Sequence, residues 1–384
     1  MRSLACSQCG SILECGAKAD SCWCQDYPSL PSAALKPEQD CLCKSCLLGR
    51  HIDWKLDQKT MPRGAMGAIG DLAKQIAGIQ QSLQPRIDRM AIVVFAADHG
   101  VSEAGVSAYP REVTWQMVEN FRAGGAAINV LARAHATSLF VVDAGVDHDF
   151  VSHPTTETHF FSRKVARGTA NFAHGLAMSP EQAEACLTHG REVAREVHAR
   201  TQSQAIGFGE MGIANTTSAA ALSCRIMGLA PQDIVGRGTG VNDEGLARKL
   251  AVVEQALALH HRAKSGLEVL SAFGGFEIAQ MVGAMLEAAK LGQVLVVDGF
   301  ISTSALLVAR AIEPNVMRSC VFAHQSDEKG HRLVLEALGV KPLLSLGLRL
   351  GEGSGAALAM PLLKSAANLL SDMASFESAG VAKA

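Results

Sequence analysis

The chain has 384 residues, of which 48% are hydrophobic and 19% charged, and its formal net charge is -2 at pH 7. This composition is typical of a well-packed globular protein and excludes a disordered chain. The small net charge and the 5% aromatic content argue against binding nucleic acid or anionic membranes. No apolar run approaches the roughly 20 residues of a membrane helix, and the N-terminus lacks the apolar core of a secretion signal. We therefore expect a cytoplasmic protein.

Cysteines are concentrated at the start of the chain, where eight of the 11 precede residue 50. Because cytoplasmic thiols stay reduced, clustered cysteines predict metal ligands rather than disulfides. No histidine lies among them, so we expect one or two structural zinc sites held by sulfur alone, with an iron–sulfur cluster or a reduced, disordered tail as alternatives. A cysteine-rich module is thus predicted at residues 1–50. Its predicted ligands are Cys6, Cys9, Cys15, Cys22, Cys24, Cys41, Cys43 and Cys46.

A connector and a helix are predicted next. Leu72, Ile76, Ile79 and Leu83 recur near helical spacing, and Asp71 is positioned to cap the helix start. From Met90 onward, short apolar runs alternate with amphipathic segments, among them 181–199 and 243–260. The runs begin at Ala91, Ser138, Gln204, Gln293, Ser319 and Leu343.

Strands that are apolar on both faces and alternate with helices predict βαβ units and a mostly parallel sheet in an α/β fold. Several of the runs end in acidic or glycine-rich loops. Ligands of such sheets bind beyond the carboxyl ends of the strands. We therefore expect these loops to converge on one crevice.

The strongest local motif is RLGEGSGAALA, at 349–359. A predicted strand ends there, a glycine-rich loop follows and a helix of small residues begins. Glycines let the backbone approach a ligand, and the free amides of a helix N-terminus suit a phosphate or carboxylate. Glu352 would project from this loop into the crevice. The alternative is a tight turn that places an acid near the positive end of the helix dipole.

Three further motifs indicate anion or acid–base sites. GFGEMGIANTT places Glu210 at a strand end before an N-cap cluster, which is also its structural alternative. GRGTGVNDEGLARK ends in Lys249, a candidate phosphate ligand, although the motif lacks P-loop spacing and also fits a surface loop. FAHQSDEKGH offers Ser326 near a strand end, and AADHG offers Asp98 and His99, which also suit an ordinary hydrogen-bonded turn.

Five motifs stand in order between about Asp57 and Ala374: ADHGV, GEMGIANTT, VLSAFGGFEIAQMVGAML, VVDGF and LRLGEGSGAALAMP. Together they resemble the nicotinate-nucleotide–dimethylbenzimidazole phosphoribosyltransferase family. The resemblance implies a pentosyltransferase that moves the 5-phosphoribosyl group of nicotinate mononucleotide onto 5,6-dimethylbenzimidazole or a related base. The products would be α-ribazole 5′-phosphate, for the nucleotide loop of cobalamin, and nicotinate.

The resemblance also implies an architecture. A Rossmann-like parallel sheet flanked by helices would occupy about 91–355, within a transferase domain at 51–384. A small helical domain would combine about 51–90 with the C-terminal helices, and the protein would be a homodimer. The segment from about Cys6 to Leu48 resembles a small cysteine-rich CWC-type domain.

Residue roles follow from the same resemblance. Glu352 is implied as the general base and Glu210 as a second acidic residue of the active site. No cofactor is expected for catalysis. Substrate contacts are expected from Gly212, Lys249 and Ser326 at the phosphate, from Tyr109, Met117 and Leu350 in the base pocket, and from Gly351 and Gly353.

Tyr109 and Met117 depart from the enteric form, which has a small polar residue and a glutamine at these positions, so a different lower-ligand base is expected. Two other functions fit the sequence less well. A dinucleotide-dependent oxidoreductase is disfavoured because no predicted strand is followed by GxGxxG and a downstream acid. A metal-binding regulatory protein with a degenerate transferase domain is disfavoured by the intact Glu210 and Glu352 loops.

Overall fold

The computed structural model describes residues 2–15, 23–31, 34, 41–151 and 158–383. The chain folds into two compact units, Met1–Ile87 with Leu362–Ala384, and Asp88–Pro361. The predicted boundary at residue 50 lies within the first unit and stays a prediction. Among the described helices, none has the length and apolarity needed to cross a bilayer.

The first unit contains a two-stranded hairpin and a small set of helices. Strands β1 (Arg2–Ala5) and β2 (Ile12–Cys15) pair antiparallel. Helices α1 (Lys44–Asp57) and α2 (Gly67–Ile79) follow, and the end of α13 (Ser354–Asp372) joins them. The predicted helix is confirmed over Leu72, Ile76 and Ile79, but it ends at Ile79, so Leu83 lies beyond it. Helix α2 starts at Gly67, before the predicted cap, so Asp71 lies inside the helix. The buried Gly70 belongs to this additional first turn.

The second unit is built on a six-stranded sheet in which every pairing is parallel. The strand order is β5-β4-β3-β6-β7-β8, which confirms the predicted α/β class. The strands are β3 (Met90–Ala97), β4 (Ser138–Gly145), β5 (His159–Ser162), β6 (Ala205–Met211), β7 (Val294–Val297) and β8 (Cys320–Phe322). The helices are α3 (Val113–Ala123), α4 (Ala127–Ala134), α5 (Pro180–Thr201), α6 (Asn215–Met227), α7 (Pro231–Ile234), α8 (Asp243–Leu259), α9 (Gly266–Phe273), α10 (Phe276–Lys290), α11 (Phe300–Ile312) and α12 (Lys329–Leu338).

Two strand expectations were wrong. The apolar run at 343–350 forms no strand. It lies alongside the end of β8, with an isolated parallel bridge between Leu344 and His324 and backbone hydrogen bonds to residues 322, 323, 325 and 327. Leu346 and Leu350 are more than half exposed, so this stretch lacks the cover on both faces that a strand of this sheet has. Conversely, β5 was not predicted. It is a four-residue edge strand whose terminal residues, His159 and Ser162, are exposed, so it carries no continuous apolar signal.

The sheet order positions a ligand site. The chain builds outward from β3 through β4 to β5, then returns to β6 and builds the other way. At such a switch point the loops on the two sides diverge and leave a crevice beyond the carboxyl ends of the strands. Strand β3 is buried throughout, so the crevice has a rigid floor. Glu210 lies at the end of β6, next to β3.

Candidate active site

A cavity of about 100 Å³ lies beyond the carboxyl ends of β6, β7 and β8. It collects the loops that follow these three strands, but the loops after β3 and β4, which were expected to converge with them, are not among the described residues that line it. A larger groove of about 550 Å³ shares Gly238, Glu328 and Arg349 with it. Five predicted site residues line the cavity: Glu210, Gly212, Ser326, Leu350 and Gly351.

The loop that carries Glu352 has an unusual backbone. Gly351, Glu352 and Gly353 have φ angles of 84°, 62° and 85°, and α13 begins at the next residue. Only glycine adopts this region without strain, so the strain falls on Glu352. An added Cβ at Gly209 in β6 would come within 2.3 Å of the Glu352 carbonyl oxygen. The glycine at 209 therefore allows the loop to pack directly on the strand.

The side chain of Glu352 is 5% exposed. Its Oε2 accepts a hydrogen bond at 3.4 Å from the backbone N–H of Ile128. Burial raises the pKa of Glu352. A buried carboxyl with one long hydrogen bond has the environment of a proton acceptor rather than of a structural ion pair.

A second carboxyl group, Asp298, follows β7 and lines the cavity, whereas Glu352 is not among the described residues that line it. Its Oδ1 accepts a hydrogen bond from the backbone N–H of Ala356 at 2.7 Å. Burial raises the pKa of Asp298 to about 7, while the N–H groups of Ala356, Gly355 and Gly353 oppose the shift and the charge of Glu352 adds to it. Asp298 therefore holds the start of α13 and, through it, the Glu352 loop.

The third carboxyl group is Glu210. It accepts a hydrogen bond from the side-chain amide of Asn215, in the first turn of α6. Its Oε1 faces Gly351, where an added Cβ would lie 2.1 Å away. Burial raises the pKa of Glu210 to about 8, and the charges of Asp298 and Glu352 are among the further causes.

Three carboxyl groups thus share one buried cluster, and they cannot all be ionised at neutral pH. The pKa of about 8 for Glu210 lies above the value of about 7 for Asp298. At pH 7 the cluster therefore keeps a proton on Glu210. A protonated Glu210 places no negative charge beside Glu352, whose own pKa is raised by burial.

Lys249 is a buried lysine next to Thr216, the residue after the Asn215 that binds Glu210. It is 1% exposed, and its Nζ donates a hydrogen bond to Thr216 Oγ1 at 2.7 Å. An added Cβ at Gly238 would lie 3.1 Å from this Nζ. Burial lowers the pKa of Lys249 to about 8. Since Thr216 and Gly238 line the cavity, Lys249 stands just behind its wall, next to the N-terminus of α6.

Ser326 is held by a histidine that sequence reasoning missed. The backbone N–H of Ser326 donates to His331 Nδ1 at 3.0 Å, and the Ser326 hydroxyl lies 2.9 Å from the same nitrogen. His331 Nε2 lies 3.1 Å from Thr303 Oγ1. Burial lowers the pKa of His331 to about 3, so the ring is neutral. Because Nδ1 accepts, the hydrogen-bond network assigns the ring proton to Nε2.

Gly212 is required by close packing. An added Cβ would lie 2.6 Å from the carbonyl oxygen of Ala97 and 3.2 Å from Glu277 Oε1. Glu277 pairs with His99 at 2.5 Å, and both side chains are fully buried. His99 therefore lies behind the cavity wall, paired with a glutamate that the sequence did not single out.

Of Gly353 and the three expected base-pocket residues, Leu350 alone is among the described residues that line the cavity. Gly353 packs on β6, where an added Cβ would lie 3.3 Å from Gly209 Cα. Leu350 is 56% exposed at the cavity mouth. Tyr109 is 54% exposed, and Met117 is half-buried in α3. Neither is among the described residues that line the cavity, so their role in base binding stays a prediction.

The N-terminal cysteines form a separate site. The Sγ atoms of Cys6, Cys9, Cys43 and Cys46 all lie within 4.8 Å of one another, a group that could hold a metal ion. Cys24 and Cys41 are described but do not belong to this group. Of the other two predicted ligands, Cys22 and the side chain of Cys15 lie outside the described residues.

Comparison with known proteins identifies the family. A phosphoribosyltransferase family model matches residues 48–381. The nicotinate-nucleotide–dimethylbenzimidazole phosphoribosyltransferase of Cupriavidus necator is 54% identical over 330 residues, which cover 86% of this chain and 94% of that protein. The protein of the same name from Dechloromonas aromatica is 52% identical, with 85% and 93% covered. The crystal structure of CobT from Thermus thermophilus is 46% identical, with a TM-score of 0.84 and coverage of 88% and 99%. The chain therefore belongs to the nicotinate-nucleotide–dimethylbenzimidazole phosphoribosyltransferase family of pentosyltransferases.

Proposed function

We propose that this protein transfers the 5-phosphoribosyl group of nicotinate mononucleotide to 5,6-dimethylbenzimidazole or a related base. The products are α-ribazole 5′-phosphate, for the nucleotide loop of cobalamin, and nicotinate. One observation in this family member carries the proposal. Glu352 is buried on a glycine-flanked loop, close to Glu210 and Asp298, at the switch point of the sheet.

The substrate's own chemistry supplies the leaving group. The nicotinate ring nitrogen is cationic in the mononucleotide, so it takes the bonding electrons of the glycosidic bond and departs as a neutral pyridine ring. The anomeric carbon becomes oxocarbenium-like, and the benzimidazole nitrogen attacks it from the face opposite the leaving group, which inverts β to α. Holding both rings in line supplies up to about 7–11 kcal/mol. These steps need no cofactor.

Glu352 is proposed as the general base. The benzimidazole N–H becomes acidic as the other ring nitrogen bonds to carbon, and the carboxylate removes this proton. The raised pKa of Glu352 makes it a stronger base. Glu210 is protonated at neutral pH, so it places no negative charge close to Glu352.

The nucleotide phosphate is proposed to bind between Lys249, Ser326 and Gly212. The cation of Lys249, the amides at the start of α6 and the Ser326 hydroxyl all suit an anion. Leu350, Tyr109 and Met117 are proposed to contact the base, and Gly351 and Gly353 to let it approach the loop backbone.

Nicotinate release tests the function. The purified chain is incubated with nicotinate mononucleotide and, in separate reactions, with 5,6-dimethylbenzimidazole, other benzimidazoles and phenols. Base-dependent release of nicotinate with formation of an α-riboside phosphate supports the proposal. Binding of the nucleotide without turnover on any base would favour the competing function, a metal-binding regulatory protein with a degenerate transferase domain.

Three further features belong to the proposal. The protein is a cytoplasmic homodimer, for which light scattering on the eluting protein should give twice the chain mass of 40.4 kDa. A monomer would contradict this.

Zinc is the metal of the N-terminal cysteines, because a sulfur-only ligand set suits it. Residues 1–50 form a module of their own. The family match begins at residue 48, so only the last three residues of this module overlap with it.

A further inference from the structure

The transferase chemistry uses none of the cysteines that precede the family match. Four of them, Cys6, Cys9, Cys43 and Cys46, have Sγ atoms within 4.8 Å of one another. The Sγ atoms of Cys9 and Cys43 are 3.7 Å apart. A tetrahedral ion with Zn–S bonds of about 2.3 Å holds its sulfurs about 3.8 Å apart. The group therefore has the size of a site for one ion.

The first ligand pair comes from the turn of the β1–β2 hairpin. Cys6 follows β1, and its N–H donates to the carbonyl of Ser11 at 2.8 Å. The N–H of Gly10 donates to the Cys6 carbonyl at 2.9 Å, and Gly10 has a φ of 73°. This turn presents Cys6 and Cys9, spaced C-x-x-C, on the same side. Such a pair is half of a Cys₄ zinc site.

The second pair comes from the start of α1. Cys43 is the N-cap of the helix and Cys46 lies in its first turn, so the side chains, three residues apart, face the same way. The helix has no side-chain cap and no acidic residue in its first turn. Thiolate ligands would supply negative charge where the helix dipole favours it.

Backbone hydrogen bonds already hold the two pairs together. The N–H of Cys43 donates to Cys6 Sγ at 3.2 Å, a bond that stabilises a thiolate. The N–H of Ser7 donates to the carbonyl of Cys41 at 3.1 Å, and Arg50 of α1 donates to the side chain of Gln8 at 3.1 Å. The hairpin turn and α1 thus meet around the four sulfurs.

We propose that Cys6, Cys9, Cys43 and Cys46 bind one structural zinc ion that fastens the β1–β2 hairpin to the start of α1. Four thiolates fill a tetrahedral ion and leave no open position for substrate or water. The other N-terminal cysteines then have no ligand position on this ion. An isolated two-stranded hairpin is marginal in water, so binding of the ion supplies much of the free energy that orders it.

Zinc fits better than iron. A polynuclear iron–sulfur cluster distributes its cysteine sulfurs over several iron atoms, whereas these four surround a single point. For a mononuclear site, zinc binds thiolates more tightly than ferrous iron does. The ligand set therefore indicates zinc.

Metal analysis of the full chain, purified without chelating resin or chelators, tests the proposal. We expect one zinc per chain and no stoichiometric iron. Cys9 is the best position to vary because its side chain is exposed. Cys9→Ser should lose the zinc. Cys9→His should keep it, because imidazole also binds zinc. Cys24→Ser is the matched control, outside the group of four, and should keep a full equivalent.

Several outcomes would overturn the site: two zinc ions per chain, iron in place of zinc, or full zinc in Cys9→Ser. A second measurement covers the case in which Cys9→Ser unfolds locally for another reason. Cobalt exchanged into the wild-type chain should show the sulfur-to-metal charge-transfer bands and intense visible bands of a tetrahedral thiolate site.

A protease test examines the fastening role. Removal of zinc should expose peptide bonds before Lys44 to protease. An unchanged cleavage pattern would reject the fastening role. None of these readouts depends on transferase activity, so they fail or succeed independently of the proposed function.

Discussion

Oδ1 of Asp298, beyond the end of β7, accepts a hydrogen bond at 2.7 Å from the backbone N–H of Ala356, in the first turn of α13. This bond joins one strand end to the helix that begins two residues after Glu352. The position of the proposed base therefore depends on a carboxyl group from a different loop, 58 residues before Ala356 in the chain. A charged acceptor at a helix N-terminus is a strong form of such a bond.

Removing this anchor should lower both stability and rate. Asp298→Ala leaves the amides at the start of α13 without their acceptor, so we expect a loss of about 1.5–3 kcal/mol in unfolding free energy and roughly a tenfold or greater drop in kcat. Asp298→Asn keeps an oxygen in the same place and should be less damaging to stability. Urea denaturation and nicotinate release measure the two effects. If Asp298→Ala matched the wild type in both, the anchoring role would be wrong.

The base role of Glu352 predicts a selective loss of chemistry. Glu352→Gln keeps the shape of the side chain but cannot take a proton, so kcat should fall by about 100-fold or more. Binding of nicotinate mononucleotide, measured by calorimetry, should survive. Glu336→Gln, an exposed glutamate in α12, is the control. Near-normal turnover of Glu352→Gln would remove Glu352 from this role.

Local sequence was sufficient to predict a glycine-rich loop at Glu352 and a helix of small residues after it. The glycines at 351 and 353 occupy left-handed backbone positions, but the same conformation at Glu352 has no signal in the sequence. The α/β class could also be predicted, because the alternation of apolar runs and amphipathic segments is a local pattern. The run at 343–350 misled because apolarity alone does not show that both faces of a segment are covered, and Leu346 and Leu350 are more than half exposed.

Contacts between distant segments could not be predicted. Asp298 appeared as the end of a strand, but its bond to Ala356 depends on how β7 and α13 are placed. His331 closes the FAHQSDEKGH motif without being singled out, and only the fold brings it to Ser326 and Thr303. The spacing of the cysteines predicted a metal site. Which four of them lie together depends on the contact between the hairpin turn and the start of α1.

His331 should act as a positioning residue for Ser326. Without the ring, the Ser326 amide loses its acceptor and its hydroxyl loses its partner. His331→Ala should therefore raise KM for nicotinate mononucleotide by roughly tenfold while kcat changes little, the pattern of lost ground-state binding. Asn, whose side-chain oxygen can replace Nδ1 as acceptor, should recover most of the affinity. Exposed His174→Ala is the control. A fall in kcat at constant KM would contradict this role.

The buried proton on Glu210 should make stability depend on pH. Its pKa is about 8 in the folded chain and 4.5 as the ordinary value. Between these values the folded state binds a proton that the unfolded state has released. The stabilisation is complete below about pH 4.5 and is lost as pH rises through about 8. Asp298, raised from 3.8 to about 7, acts in the same direction.

The informative window is pH 6.5 to 8. Below it, His331 opposes the effect, because its pKa is about 3 in the folded chain and 6.5 ordinarily, so the unfolded state gains protons as pH falls. Above it, Lys249, lowered from 10.5 to about 8, adds stability as pH rises. Within the window, the unfolding free energy of the wild type should fall with pH, and Glu210→Gln should flatten the slope because its amide cannot titrate. Urea midpoints at three pH values measure both slopes, with Glu336→Gln expected to follow the wild type. Equal slopes for Glu210→Gln and wild type would mean that Glu210 is ionised in the folded protein, and the separation of roles between the two glutamates would then fail.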